Sequence, residues 1–322
     1  MQTIVSRRLI VFLIKILEFV ARRVGALSVI PSHIWKANPE FPLLCFRGAK
    51  GGLNHPAVGY LFNERRSLAS LSVIVITKNE AHNIQACLQS VLFADQIVVL
   101  DACSSDGTED LAKQLGAEVT QSSDWPGFGV QKNRALALAR CDWVLSIDAD
   151  ERLTPELQLE IKSALANPQF GVYSFPRLSS YCGQYMRHSG WYPDRITRLF
   201  KRDVARFSSD LVHEKLMTSQ PVGRLDAHVL HESFTNFEAV LDKANRYSTA
   251  GAQTLFQRGK KSSPGKAIGH GLWAFFRTYV LRLGFLDGRM GLLLAISNAE
   301  GTYYRYLKLW LAWQQKIVAN ED

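Results

Sequence analysis

The sequence predicts an α/β protein whose sheet is built from parallel strands joined by helices. Short runs of β-branched and aliphatic residues, typical of buried strands, recur in the first part of this region. The predicted strands are 71–76, 97–100, 118–120 and 143–147. The predicted helices between them contain Ile84, Leu88 and Val91 at helical spacing and then cover 108–115 and 131–139. Strands and helices therefore alternate, which is the pattern of a sheet with right-handed crossovers.

Polar side chains stand where the predicted strands end. Thr77, Asp101 and Asp148 each follow the apolar residues of a different strand. In sheets of this kind, ligands bind beyond the carboxyl ends of the strands. We therefore expect one pocket to gather these three side chains, although they are far apart in the sequence.

The sequence divides into three predicted regions. Residues 1–70 are predicted to form an amphipathic helix and a loosely structured linker. The α/β domain is predicted over residues 71–236, with short strands and loops after Pro155. Residues 237–322 show helical periodicity and are predicted to associate with a membrane, with a break or hinge at 259–265.

Positive charge is concentrated at the two ends of the chain. Residues 1–70 hold ten Lys and Arg against three Asp and Glu, whereas residues 71–240 hold sixteen against twenty-one. Residues 241–322 return to twelve against five. A nucleic-acid-binding protein would carry its positive charge on the folded domain, so we expect no nucleic-acid partner. Basic, aliphatic flanks favour contact with an anionic cytoplasmic membrane surface, although solvated helix faces would give the same pattern.

Two further observations limit the class of protein. The five cysteines are dispersed and form no C-x-x-C pair, which argues against a disulfide framework or a zinc site and favours a reducing compartment. No segment shows the roughly 18 consecutive apolar residues of a transmembrane helix. The segment 273–288 mixes aromatic residues with arginines, which is typical of a helix in the headgroup region. A helix packed on the α/β domain is the compatible alternative.

Asp148-Ala149-Asp150-Glu151 carries the main chemical prediction. Two carboxylates at positions i and i+2 after an apolar strand can hold a hard divalent cation together with phosphate oxygens. A polar junction between a strand and a turn is the alternative interpretation. Asp101 stands in a turn context where it could accept hydrogen bonds from a base N–H or a ribose hydroxyl, whereas Asp106 is explained by an Asx turn.

Four segments together resemble the family 2 glycosyltransferases, which have the GT-A fold. They are I-T-K-N-E (76–80), L-D-A-C-S-S-D-G-T (100–108), Q-K-N-R-A-L (131–136) and I-D-A-D-E (147–151). The segments 125–136, 191–200 and 212–216 are similar to those of lipopolysaccharide-core β-glucosyltransferases. The resemblance implies a mixed sheet flanked by helices, a UDP-glucose donor and a heptose acceptor in a lipid-linked saccharide. It also implies a peripheral position on the cytoplasmic face of the inner membrane.

The resemblance assigns roles to residues that match the family pattern. Nucleoside-binding positions are Thr77, Asn79, Glu80 and Asp101. Lys132 stands where the family places a basic residue near the diphosphate, and Asp148 lies near the ribose and the metal. Asp150 resembles the direct ligand of a divalent cation, Mg²⁺ or Mn²⁺. Many members have Arg where this chain has Lys132, so charge neutralisation is expected here without bidentate phosphate contact.

The sequence leaves several candidates for the general base and for the last metal ligand. Direct displacement at the anomeric carbon needs a carboxylate beside the acceptor hydroxyl, and the candidates are Asp194, Glu214 and Glu151. Asp194 is favoured because aromatic and basic residues surround it, although a salt bridge to Arg195 or Arg198 would explain it equally well. The histidine proposed to complete the metal shell is His213, and His188 and His231 have weaker claims.

Several alternatives remain at this point. A polyprenyl-phosphate glycosyltransferase would have the same fold but no need of a general base, because a phosphate acceptor is already ionised. A nucleotidyltransferase would require a Gly-rich basic loop after the first strand, and a dehydrogenase would require G-x-G-x-x-G there. Residues 77–80 provide neither. A non-catalytic membrane scaffold is disfavoured by the intact Asp101, Asp148 and Asp150.

Overall fold

The structure, a computed structural model, describes residues 69–208 and 214–319. The predicted amphipathic helix and linker of residues 1–70 therefore lie almost wholly outside the described residues. The predicted metal ligand His213 also lies outside them. The described residues belong to one compact unit, Glu64–Asp322.

The first half of this unit alternates strands and helices as the sequence predicts. In chain order these are β1 (Leu71–Thr77), α1 (Ala81–Gln89), β2 (Gln96–Asp101), α2 (Thr108–Gln114), β3 (Glu118–Gln121), α3 (Phe128–Leu138) and β4 (Trp143–Asp148). All residues of β1 and β2 are buried, because helices cover both faces of the sheet. The predicted bounds of these elements are confirmed to within a few residues.

The second half contains a helix that the sequence interpretation missed. Its elements are β5 (Glu151–Leu153), α4 (Pro155–Ala166), β6 (Val172–Tyr181), β7 (Gln184–Tyr185), β8 (Asp194–Lys201), β9 (Arg206–Phe207), β10 (Leu216–Met217), β11 (Val222–Arg224) and β12 (Val229–Phe234). The prediction of only short strands and loops after Pro155 was therefore wrong for α4. Thr154 caps this helix by accepting a hydrogen bond from the Leu157 N–H, and Pro155 stands in its first turn.

The main sheet is mixed. Its strand order is β3-β2-β1-β4-β8-β6-β12-β5, with β7 and β11 also pairing with β6. Strands β1 to β4 run parallel, and β8 then pairs antiparallel with both β4 and β6. In the parallel part Thr77 pairs with Asp101, and Ile76 pairs with Asp148. The carboxyl ends of β1, β2 and β4 thus meet at one edge.

Alternate residues of β1 pack into two cores on opposite faces of the sheet. Val73 and Val75 face a core that contains Ile84 of α1 and Leu157 of α4. Ile74 and Ile76 face a second core that includes Ala135 of α3. The alternation follows from the two-residue period of a strand, and it places α1 and α3 on opposite faces.

Three helices follow the sheet. They are α5 (Phe237–Gln257), α6 (Pro264–Phe276) and α7 (Gly288–Ala319), and α6 continues into a π-helical turn, Arg277–Leu281, before a 3₁₀ turn at Gly284–Asp287. The predicted break at 259–265 is confirmed as the connection between α5 and α6. Within the described part of the chain, none of the helices has the length and apolar character needed to cross a membrane.

Asp287 ties these helices to the sheet domain. Its buried carboxylate accepts hydrogen bonds from the backbone N–H groups of Arg187 and His188, at 3.1 and 3.0 Å, and from the Ser189 hydroxyl at 3.1 Å. The Gln184 side chain also donates to the Asp287 carbonyl oxygen, at 2.8 Å. A buried carboxylate satisfied in this way fixes the position of the loop that leads into β8.

Candidate functional site

The site begins where β1, β2 and β4 end. Thr77 lies on the central strand, between Asp101 on one neighbour and Asp148 on the other. Adjacent strands are about 4.8 Å apart, so the two aspartates are separated by about two strand spacings. The register places these three residues at one edge of the sheet, as expected. Of the three, only Asp148 lines the cavity described below, so their gathering in one pocket stays a prediction.

The loops after β1 and β2 are joined by side-chain hydrogen bonds. The Asp101 carboxylate is fully buried and accepts hydrogen bonds from the Ser104 N–H and hydroxyl, at 2.7 and 2.5 Å. The Asn79 N–H in turn donates to the Ser104 hydroxyl at 2.7 Å, and the Asn79 side-chain oxygen accepts from the Ser105 N–H at 2.9 Å. Asn79 adopts φ 56°, a left-handed conformation that Asn tolerates better than most residues. Asp101 and Asn79 therefore shape this rim from within.

Glu80 and Thr77 complete the same rim. The Glu80 N–H donates to the Thr108 hydroxyl at 2.9 Å, and its carboxylate accepts from the Asn83 amide at 2.9 Å. Burial raises the pKa of Glu80, and the nearby Asp150 charge raises it further. The Thr77 hydroxyl is buried and has no hydrogen-bond partner among the described residues. An unpartnered buried hydroxyl at a strand end is available to a ligand.

Asp148 is the centre of a cluster of buried charges. The Lys132 ammonium, from α3, lies 2.8 Å from one Asp148 oxygen, and the Arg198 guanidinium, from β8, lies 2.9 Å from the other. The same ammonium is 2.7 Å from the Glu214 carboxylate. Burial raises the pKa of Asp148, but the Arg198 and Lys132 charges outweigh it and hold this pKa well below its usual range. Asp148 is thus a permanent anion that fixes two cations.

Asp150 and Glu151 have different surroundings, although they are consecutive. An Asp150 oxygen lies 3.2 Å from His231 Nε2, and the Ser179 hydroxyl lies 3.0 Å from Nδ1 of the same imidazole. Glu151 is fully buried, and one of its oxygens accepts from the Asp148 N–H at 2.9 Å. Burial and the Asp148 charge raise the pKa of Glu151. The Asp150 side chain therefore contacts His231, whereas the buried Glu151 carboxylate binds the backbone N–H of Asp148.

From the sequence, His231 ranks below His213 as a candidate metal ligand, yet the structure places His231 beside Asp150. It lies on β12, opposite Glu151 of β5. Burial lowers the pKa of His231, but its hydrogen bond to Asp150 and the charge of Asp150 raise it above the ordinary value. Neither β12 nor its pairing follows from a local motif, so the sequence contained no signal that would rank His231 above His188. His188 instead contacts Asp287, at 3.0 Å.

The three candidate bases are not equivalent. Asp194 is half-exposed, and a single oxygen of its carboxylate accepts two hydrogen bonds from Arg177, at 2.6 and 3.1 Å. The alternative of a salt bridge from Asp194 to Arg195 or Arg198 was wrong, because Arg195 pairs with Asp226. Glu214 is mostly buried against Lys132, and Glu151 is inaccessible.

A cavity of about 580 Å³ opens beside this cluster. It lies between α3, β8 and the β9–β10 pair, with Phe128 and Phe207 on its sides. Its ionisable lining consists of five cations and two carboxylates, namely Lys132, Arg177, Arg195, Arg198, Lys215, Asp148 and Glu214. An excess of fixed positive charge in a partly desolvated cavity suits a diphosphate.

The residues present fit a divalent cation that is shared with such a ligand. In the described ranges, no three His, Cys, Asp or Glu side chains are arranged to hold a metal ion by themselves. Mg²⁺ is commonly held by one or two carboxylates, with phosphate oxygens and waters completing its shell. Asp150 and Asp148 would provide the carboxylates, and His231, 3.2 Å from Asp150, would be an additional donor. One oxygen of Glu151 is buried without a hydrogen-bond partner among the described residues and lies 3.6 Å from the Arg177 guanidinium.

Sequence comparisons agree with this geometry. The model of the family "Glycosyl transferase family 2" matches residues 72–219. An uncharacterised glycosyltransferase of Rickettsia prowazekii (strain Madrid E) is 31% identical over 255 residues, which are 75% of this chain and 87% of that protein. The chain therefore belongs to glycosyl transferase family 2, and its mixed sheet with flanking helices is the GT-A fold.

More distant similarities extend the comparison. The lipopolysaccharide core biosynthesis glycosyltransferase LpsC of Rhizobium meliloti (strain 1021) is 28% identical over 258 residues, covering 73% of this chain and 93% of LpsC. Among solved structures, S. aureus TarS in complex with UDP aligns with a TM-score of 0.41 at 17% identity, over 77% of this chain and 92% of that chain. Glucosyl-3-phosphoglycerate synthase from Mycobacterium tuberculosis, in complex with Mn²⁺ and UDP, aligns with a TM-score of 0.30 at 26% identity, over 35% and 44%.

Gly129 gives a test of how the cluster is held. A Cβ built on Gly129 would lie 1.7 Å from the Ser208 carbonyl oxygen and 3.4 Å from Cβ of Glu214. Gly129→Ala should therefore displace the β9–β10 pair and cost about 1–3 kcal/mol of unfolding free energy, measured by urea denaturation. Gly269→Ala is the matched control, because a Cβ there meets nothing within 4 Å. Equal midpoints for the two variants would contradict this packing.

Proposed function

We propose that this protein is an inverting, metal-dependent hexosyltransferase that uses a UDP-sugar, with glucose as the sugar. The proposed acceptor is a hydroxyl of a lipid-linked saccharide, a heptose of the lipopolysaccharide inner core. One observation carries the proposal: Asp148, at the end of β4, contacts Lys132 and Arg198 beside a cavity of diphosphate size, and Asp150 follows two residues later. The similarity to LpsC supports the choice of acceptor class.

The donor is proposed to bind along the rim formed by the loops after β1 and β2. In this proposal Thr77, Asn79, Glu80 and Asp101 form the nucleoside side of the site. The unpartnered Thr77 hydroxyl supports that position, since a ligand polar atom would satisfy it. Asp101 acts mainly by fixing the loop, because both hydrogen bonds to its carboxylate come from Ser104.

The diphosphate is proposed to lie against Lys132 and Arg198. Both cations are already oriented by Asp148, so little reorganisation is needed when the donor binds. Asp150 and Asp148 would hold the divalent cation, with His231 as a further donor, and His213 remains a candidate outside the described residues. When bound, this ion would neutralise charge that develops on the leaving diphosphate.

Asp194 is the proposed general base. Its hydrogen bonds from Arg177 both reach Oδ2, so among the described residues Oδ1 accepts no hydrogen bond and is available to an acceptor hydroxyl. The hydroxyl proton passes to Asp194 while the hydroxyl oxygen bonds to the anomeric carbon, opposite the diphosphate. The bond from that carbon to the diphosphate oxygen breaks, and the configuration inverts. Glu214 is the second candidate, and Glu151 is the third because of its burial.

A polyprenyl-phosphate acceptor is the alternative within the same family. One observation favours it: each of the three candidate carboxylates already faces a cation, Lys132 or Arg177. These carboxylates are already engaged in ion pairs, and an ionised phosphate acceptor would not need any of them as a base. The two products differ, because a glycosyl phosphate is cleaved by mild acid and an O-glycoside of a saccharide is not.

The first test concerns Asp150. Asp150→Asn keeps the shape of the side chain but removes its charge, so sugar transfer should fall by about two orders of magnitude or more. Transfer is measured as UDP released in the presence of extracted lipopolysaccharide core, and circular dichroism checks the fold. Asp203→Asn is the control. The Asp203 side chain is 87% exposed, and its ion-pair partner is Arg202, which is not a site residue. Retention of most activity by Asp150→Asn would rule out the metal assignment.

The second test separates the two acceptor classes. The double variant Asp194→Asn, Glu214→Gln removes both accessible candidate bases while preserving side-chain shape. For a hydroxyl acceptor we expect kcat to fall at least about 100-fold, because general base catalysis contributes that much. An unchanged kcat together with an acid-labile product would indicate that the acceptor is a polyprenyl phosphate and not a saccharide hydroxyl.

The C-terminal helices are proposed to rest on the anionic cytoplasmic face of the inner membrane. Six exposed large apolar side chains lie between residues 268 and 286, at Ile268, Leu272, Trp273, Leu281, Leu283 and Leu286. Exposed Lys266 and Arg289 flank this stretch and would meet acidic lipid headgroups. The predicted amphipathic helix in residues 1–70 is proposed to bind the same membrane.

A flotation assay tests this surface. The double variant Leu272→Gln, Trp273→Gln should weaken binding to phosphatidylglycerol-containing vesicles by about tenfold or more, since it removes two apolar side chains from the contact. Leu159→Gln is the matched control, because Leu159 is 67% exposed but belongs to α4 of the sheet domain. If the two proteins partition equally, the α6 surface does not contact the membrane.

A further inference from the structure

A second cavity, of about 520 Å³, lies between the sheet domain and the C-terminal helices. We call it the cationic cavity. Its charged lining residues are Lys243 on α5, Arg277 and Arg282 in and after the π-helical turn, and Arg305 on α7. No acidic side chain is among its lining residues in the described ranges. These four cations also form no ion pair with a described carboxylate, unlike Lys132, Arg177 and Arg198 in the first cavity.

Two glycines make room for arginines at the cationic cavity. A Cβ built on Gly190 would lie 2.4 Å from Cδ of Arg282, and one built on Gly251 would lie 2.7 Å from Nε of Arg305. That Nε is buried and has no hydrogen-bond partner among the described residues. A buried donor left without an acceptor costs about 1–3 kcal/mol. The close packing thus holds the Arg305 guanidinium at the wall of the cavity.

The other walls of the cavity are aromatic and polar. The Trp191 and Phe234 rings are stacked, and Tyr181 packs edge-on against both, with ring centroids 5.9 to 6.1 Å apart. The Lys243 ammonium lies 4.6 Å from the centre of the Phe234 ring. Ser297 and Asn298 of α7 add hydrogen-bonding groups. Aromatic faces beside polar groups suit sugar rings, whereas the arginines suit an oxyanion.

The cationic cavity is next to the transfer site along two chain segments. Trp191 is followed within three residues by Asp194, the proposed base, and Phe234 follows His231 on β12. Burial lowers the pKa of Lys243, and the Asp150 charge opposes that effect, so the two side chains interact electrostatically. Asp287 fixes the loop that carries Gly190 and Trp191. A molecule anchored in this cavity therefore extends toward Asp150 and Asp194.

We propose that the cationic cavity binds a phosphate group carried by the saccharide acceptor, so that the enzyme selects a phosphorylated acceptor. The inference rests on the proposed glycosyltransferase function and defines its acceptor more narrowly. The phosphate is bound by Arg277, Arg282, Arg305 and Lys243, while an adjacent sugar stacks on the aromatic wall and presents its hydroxyl to Asp194. The phosphate is a recognition group and takes no part in bond formation.

The test measures binding of glucose 6-phosphate and of glucose to the full-length protein saturated with UDP and Mn²⁺. Saturation prevents the phosphate from occupying the diphosphate site. The expected result is that glucose 6-phosphate binds at least about tenfold more tightly than glucose, and that Arg305→Gln and Arg277→Gln each remove most of this difference. Arg277 is exposed, so its variant tests the charge without disturbing a buried side chain. Arg258→Gln is the control, because Arg258 is exposed on the same bundle but does not line the cavity.

The other outcomes are distinguishable. Equal affinity for glucose 6-phosphate and glucose, in wild-type protein that binds UDP, would overturn the phosphate site and leave the proposed function standing. No UDP binding by the wild type would overturn the proposed function instead. If the arginine variants lose binding to phosphatidylglycerol vesicles and keep their affinity for glucose 6-phosphate, the arginines contact lipid headgroups and the phosphate site is refuted.

Discussion

The contact of Asp148 with Lys132 and Arg198 is the interaction on which the site depends. Two buried cations contact two partly buried carboxylates here, and either cation would be costly to bury alone. Because they satisfy one another, α3, β4, β8 and the segment that contains Glu214 are held at fixed positions. Removing Asp148 would leave the buried Arg198 guanidinium without an ion-pair partner among the described residues, which costs more than the pair itself contributes.

The ion pairs of Asp148 also orient two of the cations that line the cavity. The cations are oriented before any donor arrives, so they can stabilise negative charge without the reorganisation that water would require. Asp150 is only two residues from Asp148 but lies outside the network, facing His231. Two carboxylates only two residues apart therefore have different ionic partners. The difference comes from the neighbours that each aspartate meets.

The C-terminal helices also position part of the candidate site. Asp287 fixes the loop before β8, and that loop leads to Asp194 through Trp191. The same helices supply every cation of the second cavity. The proposed acceptor site and the proposed membrane surface would therefore both lie on these helices.

The sequence by itself determined the first half of the sheet and predicted where the candidate site lies. Four β-branched runs separated by helical segments specify parallel strands, and polar residues at their ends specify where ligands bind. Asp101 and Asp148 were found in this way because both are next to a strand that local pattern reveals. Helix α4 was missed although Thr154, Pro155 and the spacing of Leu157 and Ile161 provided a local signal.

Only the tertiary structure decided which charges meet. Arg177 binds Asp194, Arg198 binds Asp148, and His231 reaches Asp150, yet no local motif relates the members of any of these pairs. Strands β6, β8 and β12 are placed by antiparallel and crossover pairings across long stretches of chain. The energies of side-chain contacts depend on distance in space, and sequence pattern reports only distance along the backbone. The pairing of charges in this protein is therefore a property of its fold.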